Sequence, residues 1–388
     1  MTITAPKGFR AAGIKAGIKA SGNPDLALVV NDGPLTSAAA VFTSNRVAAA
    51  PVHWSRQVVS DGRVDAVVLN SGGANACTGP QGFQNTHATA EKVAEVLGVS
   101  ASDVVVCSTG LIGEQLPMDK ILPGVEAAFN ELSEEGGAAA ATAIMTTDSV
   151  SKEAVFTGQD AEGKTFTVGG IAKGAGMLAP GLATMLVVLT TDAEVPANEL
   201  DVVLRDATRV TFDRADSDGC MSTNDTVVLL ASGASEALPS AEQLSEAVTT
   251  VCAELARKLI GDAEGASHDI AIRTFNAASE RDAEIVGRSV ARSNLFKAAI
   301  FGKDPNWGRV LSAVGTTDAV FEADQLNVSM NGVQICRNGS IGDDRNLVDL
   351  EPREVLVEID LQAGEAEATI WTNDLTHDYV HENSAYSS

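Results

Sequence analysis

The amino-acid sequence predicts an α/β protein, on three observations. Short apolar runs of strand length alternate with segments whose apolar residues recur at helical spacing. Two of these runs, residues 65–70 (DAVVLN) and 103–107 (DVVVC), are apolar on consecutive positions, as strands buried on both faces are, and each passes directly into a loop of glycine and small residues. The last third of the chain carries strand patterns, two of them joined at Asn331-Gly332, a two-residue hairpin signal.

Taken from the N-terminus, residues 26–31 and 38–42 are apolar pieces cut by Gly and Pro and read as short strands. The strand at 65–70 runs into SGGANACTGPQG, then into a helix expected from about residue 85, with Val93, Val96 and Leu97 on one face. Strand, small-residue loop and helix together build sites, although the same glycines serve any tight connection that needs φ > 0. The strand at 103–107 ends in Ser108-Thr109-Gly110-Leu111-Ile112-Gly113. A turn of this kind exposes backbone N–H groups that can be aimed at a developing oxyanion. A Gly/Ala-rich helical stretch over 131–144 precedes Met145-Thr146-Thr147-Asp148-Ser149, hydroxyls that read as a helix end and a turn.

Residues 158–168 read as a hairpin that delivers the chain into GGIAKGAGMLAPGLATMLVVLTTD (169–192), two strand-like pieces broken by a glycine- and proline-rich turn. A helix is expected over 196–212, with Leu200, Val203, Leu204, Ala207 and Thr211 at helical spacing. The polar loop DSDGCMSTND (216–225) precedes a buried strand at 226–231; its carboxylates lack EF-hand spacing, and no metal is expected there. Ser240 and Gln243 form a capping box for a helix through Leu244, Val248, Val251, Leu255 and Leu259, which Gly261 ends. The carboxylates of DAEG (262–265), just past that end, are ordinarily solvated loop charges. One long helix is expected over 282–301, leading into GKDPNWGRVL. Strands at 326–330 and 333–336 flank the Asn-Gly turn, and 354–361 and 367–372 form another alternating pair. The polar tail, 381–388, would by default fray.

With 388 residues, 45% of them hydrophobic, the chain can bury the core of one large or two ordinary domains. Its 52 acidic against 27 basic residues, a formal charge of −25, exclude nucleic acid and anionic membrane surfaces as natural partners. Five scattered cysteines without a CxxC or Cys/His cluster suggest neither a disulfide framework nor zinc, and a reducing compartment. With no leader-like start and no apolar run of about 18 residues, the expected location is the cytoplasm.

The chemistry centres on Thr184, which opens an apolar run after the small residues Gly181 and Ala183. A Thr at a strand start is usually only a β-former. A hydroxyl nucleophile needs a base, and one solution is to free the residue's own α-amine by cutting the peptide bond before it. That amine titrates at about 7.7–8 in reference peptides, close to where a general base works best. The small-residue turn at 180–183 would lower the steric barrier to such a cut.

Eight ordered motifs carry a resemblance that spans nearly the whole chain: NSGGANACTG (70–79), STGLIGEQLP (108–117), MTTDS (145–149), KGAGMLAPGLATML (173–186), STNDT (222–226), DAEGA (262–266), DPNWGR (304–309) and ENSAYSS (382–388). By these the sequence resembles the glutamate N-acetyltransferases, or ornithine acetyltransferases, of the cyclic arginine pathway. The resemblance implies a layered α/β sandwich of the ornithine acetyltransferase and DmpA-like type, similar to N-terminal-nucleophile hydrolases in chemistry but not in topology. It implies self-cleavage between Ala183 and Thr184 into an α chain (1–183) and a β chain (184–388), held as a heterotetramer of two of each. Thr184 would be the nucleophile, Thr109 and Gly110 the oxyanion hole, and Thr146, Lys173, Thr184, Glu264, Asn383 and Ser388 the substrate-binding residues. This reverses the solvated-loop reading of Glu264 and the frayed reading of the tail.

The reaction so implied is ping-pong transfer of acetyl from N2-acetyl-L-ornithine to L-glutamate through acetyl-Thr184, without a cofactor; some members of the family also use acetyl-CoA. Lys173 suits the α-carboxylate that both amino acids share, and Glu264 suits the ornithine ammonium. An aminopeptidase or amidase using the same Thr with water is the alternative chemistry. Two departures stand out. Cys220 and Met221 replace polar residues of DGDTSTND, which puts any ligand role there in doubt, and the chain ends in Ser388 where many members end in Thr.

Overall fold

The computed structural model describes residues 2–178 and 185–385. These form two compact units, the first from residues up to Asp213 together with Cys220–Leu259, the second from Arg214–Gly219 with the chain from Ile260 onward.

The first unit stacks two sheets. One has the order β1-β2-β4-β5, from β1 (Phe9–Ile14), β2 (Leu26–Asn31), β4 (Ala66–Gly73) and β5 (Val104–Leu111). The other has the order β3-β9-β8-β7-β6, from β3 (Ser37–Phe42), β6 (Lys152–Gln159), β7 (Thr165–Lys173), β8 (Leu186–Thr191) and β9 (Thr226–Ala231). The pairs β4/β5 and β8/β9 are parallel and the other neighbours antiparallel. Consecutive apolar residues are required where a strand is covered on both faces. Accordingly β2, β8 and β9 are buried at every position.

Alternate residues divide between layers. Val29, Val67, Leu69 and Val105 of the first sheet share one core with Ile171, Val188, Val228 and Leu230 of the second. Leu28, Val68 and Val106 point the other way, into a core with Ala90 and Val93 of the helix Gly79–Leu97 and Ile121 and Val125 of the helix Met118–Asn130. On the far side of the second sheet, Val251 and Leu255 of the helix Ala241–Gly261 pack over Gly170, where a Cβ would sit 2.7 Å from Leu189 and 2.9 Å from Leu255. The unit is therefore a helix, sheet, sheet, helix sandwich, the layered α/β arrangement expected.

The second unit holds a sheet of order β13-β12-β11-β14-β10-β15, from β10 (Asp269–Ala277), β11 (Asn327–Met330), β12 (Val333–Arg337), β13 (Ser340–Ile341), β14 (Glu354–Asp360) and β15 (Ala366–Asn373). Its core combines Ile270, Ile272, Val357, Ile359 and Ile370 with Val286, Phe296 and Val310 from the helices Glu280–Ala291, Asn294–Phe301 and Trp307–Val314.

Several local expectations hold and several change. Asn331 and Gly332 both take positive φ, 45° and 83°, as a two-residue hairpin turn with right-handed strand twist requires. The capping box forms: the Gln243 N–H donates to Ser240 Oγ (3.3 Å) and the Ser240 N–H to Gln243 Oε1 (2.9 Å). The helix expected from 85 starts at Gly79, because Pro80 is tolerated in a first turn and Gly82 fits tightly over Thr78, where a Cβ would lie 1.9 Å from Oγ1. The helical stretch over 131–144 shrinks to Gly137–Ala143; Ser133 instead pairs its backbone with Ala11 of β1. The long helix over 282–301 is two helices, because Ser293 caps the second by accepting the Phe296 N–H. The strands at 354–361 and 367–372 form but do not pair with each other; β10, absent from the sequence reading, lies between them.

Candidate active site

In the first unit the ends of β4, β5 and β7 converge. The parallel register sets Ser71 opposite Thr109 and Gly72 opposite Gly110, then shifts at Gly73. Gly110 has φ +129°, and a Cβ there would meet Gly73 N at 2.5 Å and Gly72 C at 2.6 Å. Only glycine fits so close a backbone approach. Thr109 is buried, and Lys173, the last residue of β7 and also buried, donates from Nζ to Thr109 Oγ1 (3.3 Å). Lys173 is registered with Leu186 of β8, two residues past Thr184.

Asp148 organises the turn beside them. Its carboxylate accepts from Lys152 Nζ (2.6 Å), the Gly174 N–H (2.7 Å) and the Thr146 N–H (2.9 Å), and Lys173 Nζ lies at 4.0 Å. Burial by itself would push this carboxyl up; the ammonium groups of Lys173 and Lys152, with the hydrogen bonds, outweigh it and hold the pKa at about 2. Lys19 joins the cluster, donating from Nζ to Met145 O (2.5 Å) and Pro24 O (2.9 Å). Burial lowers the pKa of Lys19, and the charge of Lys173 adds to the lowering. Lys19, Lys152 and Lys173 here stand against two buried carboxylates, Asp148 and Asp25, which leaves the corner a local excess of positive charge despite the acidic whole.

The STNDT loop ties the strand ends together. Asn224 donates from Nδ2 to Ala74 O (2.6 Å) and Ser108 O (2.8 Å), joining the loop that follows β4 to β5. Asp225, fully buried, accepts the Met185 N–H on Oδ1 (3.0 Å) and so anchors the first residue after Thr184. Its Oδ2 has no hydrogen-bond partner among the described residues, and burial pushes this carboxyl well above its ordinary pKa.

In the second unit Asn383 donates from Nδ2 to Glu264 Oε2 (2.9 Å). The loop carrying Glu264 is pinned at Gly265, where φ is +61° and a Cβ would reach within 2.2 Å of Tyr379 N. Thr376 Oγ1 donates to Gly265 O (2.6 Å) and accepts the Tyr379 N–H (2.9 Å), starting the helix His377–Ala385. The tail is therefore helical through Ala385 and does not fray there.

Of the residues expected at the site, Thr109, Gly110, Lys173 and Thr146 come together in the first unit, and Glu264 with Asn383 in the second. Ala183, Thr184 and Ser388 lie outside the described residues. Reading the sequence for chemistry passed over Asp148, Lys152, Lys19 and Asp225. An acid within a run of hydroxyls, and an Asn-Asp pair directly before an all-apolar strand, were the available signals; for Lys152 there was none. Cys220 is exposed and Met221 half-buried, and Met221 O accepts from Asn45 Nδ2 (2.9 Å). Among the described residues no group of three or more His, Cys, Asp or Glu is placed to hold a metal. No helix among them is long and apolar enough to cross a membrane.

Residues 10–388 match the ArgJ family. The chain belongs to that family. It is 68% identical over the full length of both chains to the arginine biosynthesis bifunctional protein ArgJ of Streptomyces coelicolor, and 62% identical, again over both full lengths, to the protein of that name from Thermobifida fusca. Among solved structures it is similar to an ornithine acetyltransferase complexed with ornithine from Mycobacterium tuberculosis, at 54% identity over 48% of this chain and 96% of that one, with a TM-score of 0.43.

Proposed function

We propose that this ArgJ family member is an acetyltransferase of arginine biosynthesis that moves the acetyl group of N2-acetyl-L-ornithine to L-glutamate. The observation that carries the reading is full-length identity of 68% to a bifunctional arginine biosynthesis protein. The buried Lys173–Thr109 contact beside the start of β8 supports it, because it sets a carboxylate anchor next to a candidate oxyanion site.

In this reading the chain cuts itself between Ala183 and Thr184, leaving chains 1–183 and 184–388 assembled as two of each in the cytoplasm. Thr184 Oγ attacks the acetyl carbonyl, the freed α-amine takes its proton, and Thr109 with Gly110 stabilises the oxyanion. Ornithine leaves with the proton. The glutamate α-amine then attacks the ester, the tetrahedral intermediate collapses, and Thr184 recovers its hydrogen. The substrate-binding residues of this reading are Thr146, Lys173, Thr184, Glu264, Asn383 and Ser388, with Lys173 suited to the α-carboxylate that both amino acids share and Glu264 to the ornithine ammonium. Acetyl-CoA is a second acetyl donor, as the word bifunctional in the relatives' names suggests for them.

Intact mass and product analysis test this together. The active protein should separate under denaturation into chains 1–183 and 184–388, and Thr184→Ala should remain one inactive chain of about 40 kDa. A Thr184→Ala protein that still transferred acetyl would end the proposal. Deacetylation of acetylornithine at a rate indifferent to glutamate would point to the aminopeptidase or amidase chemistry, and incubation of acetyl-CoA with glutamate decides the second donor.

A further inference from the structure

β5 is the outermost strand of its sheet, with β4 on one side and, among the described residues, no strand on the other. A strand so placed turns the N–H and C=O groups of alternate residues to its partner, and those of the residues between to the open edge. On β5 the edge row runs through Val104, Val106 and Ser108. Val104 O accepts from Trp54 Nε1 (3.0 Å), while Ser55 Oγ accepts the Val106 N–H (3.0 Å) and donates to Val106 O (2.8 Å). Trp54 and Ser55 belong to the helix Ala50–Val58, so side chains of a helix stand where a further strand would pair. Ser108 O is next in the row, and its donor comes from a different element: Asn224 Nδ2 (2.8 Å), in the loop before β9. All of these residues belong to the first unit.

Asn224 is 4% exposed and fully engaged. Its second Nδ2 hydrogen goes to Ala74 O (2.6 Å), and its Oδ1 accepts from Thr223 Oγ1 (2.6 Å). Its backbone is held as well, the N–H donating to Ser222 Oγ (3.1 Å) and the C=O accepting from Thr226 Oγ1 (3.1 Å). A peptide group is planar and trans, so its C=O and its N–H point in opposite directions. With Ser108 O turned to the edge, the Thr109 N–H turns toward β4, and the alternation brings the Gly110 N–H out on the same side as Ser108 O. The Asn224 carboxamide therefore fixes the peptide group that leads into the Thr109-Gly110 turn. The next residue, Asp225, holds the Met185 N–H (3.0 Å). Consecutive residues of one loop thus grip the strand that ends in this turn and the first residue after Thr184.

We propose that Asn224 is the positioning residue of the oxyanion site: by holding Ser108 O it sets where Thr109 and the Gly110 N–H stand, and it acts on the reaction through them. The assignment rests on the acetyl-transfer reading, in which Thr109 and Gly110 stabilise the oxyanion. Because that charge develops only on the way to the tetrahedral intermediate, Asn224 should count in the transition state and not in the binding of substrate.

Three variants isolate the effect. Asn224→Asp keeps the shape and removes both donors. With rates counted per chain that begins at Thr184, kcat for acetyl transfer should fall about 100-fold, the order of loss for a misplaced oxyanion donor, while KM for acetylornithine and the affinity for ornithine stay within about threefold. Ser55→Ala is the control for stability at the same edge: it strips Val106 of both partners, so Tm should fall, but kcat should stay within about twofold. Thr223→Val removes the hydroxyl that donates to Asn224 Oδ1 and leaves the carboxamide in place; kcat should fall about fivefold with KM unchanged.

An Asn224→Asp variant that raises KM while kcat holds, or that loses no more kcat than Ser55→Ala at a similar loss of Tm, would overturn the proposal. Where Asn224→Asp does not fold or is not cut, Thr223→Val decides, and a kcat equal to wild type overturns the proposal. A wild-type protein that moves no acetyl from acetylornithine would instead overturn the acetyl-transfer reading, and Gly110→Ala with unchanged kcat would overturn the oxyanion reading.

Discussion

Asp148 holds four groups at once, and its removal should show what each depends on. Replacement by Asn leaves Lys152 and Lys173 buried without their common anion, which typically costs about 3–5 kcal/mol. Asp148→Asn is therefore expected to unfold at markedly lower denaturant and to lose at least 100-fold in transfer. Adding Lys152→Met should recover much of the stability but not the activity, because Lys173 would still lack the partner that steers it toward Thr109. Recovery of both would mean that Asp148 only balances charge. The pH dependence has a definite sign. The folded pKa lies below the ordinary carboxyl value, so the contribution, on the order of 2 kcal/mol, is complete above about pH 4 and disappears as pH falls toward 2. Acid unfolding of Asp148→Asn should accordingly be shallower over that window. At this scale the sequence shows hydroxyls and glycines better than it shows charge. Thr109, Gly110 and Lys173 stand in recognisable motifs, whereas Lys152 starts an otherwise ordinary strand and its role exists only once β6 and the 145–149 turn are side by side.

Among the elements, the end of the β4/β5 pair is the least tolerant. Gly110 combines positive φ with backbone contacts to Gly72 and Gly73 that no side chain can enter. Gly110→Ala should cost on the order of 1–3 kcal/mol from the conformation alone, with displacement of Thr109 adding a loss of activity beyond the loss of stability. Comparison of kcat with thermal unfolding checks this; a variant with normal activity and a lowered Tm would separate the turn from the chemistry. Strands of consecutive apolar residues were legible because burial on both faces admits no polar alternation. Helix ends were less so. Gly79 and Pro80 resemble a turn in sequence yet open a helix, and Ser293 interrupts an apolar periodicity that would otherwise run on. β10 escaped notice because its buried face, Ile270, Ile272 and Thr274, passes into a polar residue after two apolar ones, and its place between β14 and β15 is a matter of pairing across more than 80 residues of chain.

For the whole molecule, the acidic surface sets solubility and the choice of partner class, while the lysines around Asp148 set the field where an anionic substrate would bind. The order of the five-stranded sheet has the larger consequence. β8 and β9 lie between β3 on one side and β7 with β6 on the other. A cut between Ala183 and Thr184 places β3, β6 and β7 in one product and β8 and β9 in the other, with six registered pairs at each of the two seams. The products of the proposed cut would therefore remain joined by the sheet itself, and neither would contain a complete version of it. Refolding from denaturant should then change its kinetic order. Uncleaved Thr184→Ala should regain structure at a rate independent of protein concentration, whereas the cleaved protein, which must find its partner, should refold faster as concentration rises over a tenfold range. Equal concentration independence in both would show that the seams are not what limits assembly. Each copy would thus be built as one molecule and afterwards survive as two, and its native arrangement would be easy to reach during synthesis and hard to reach again.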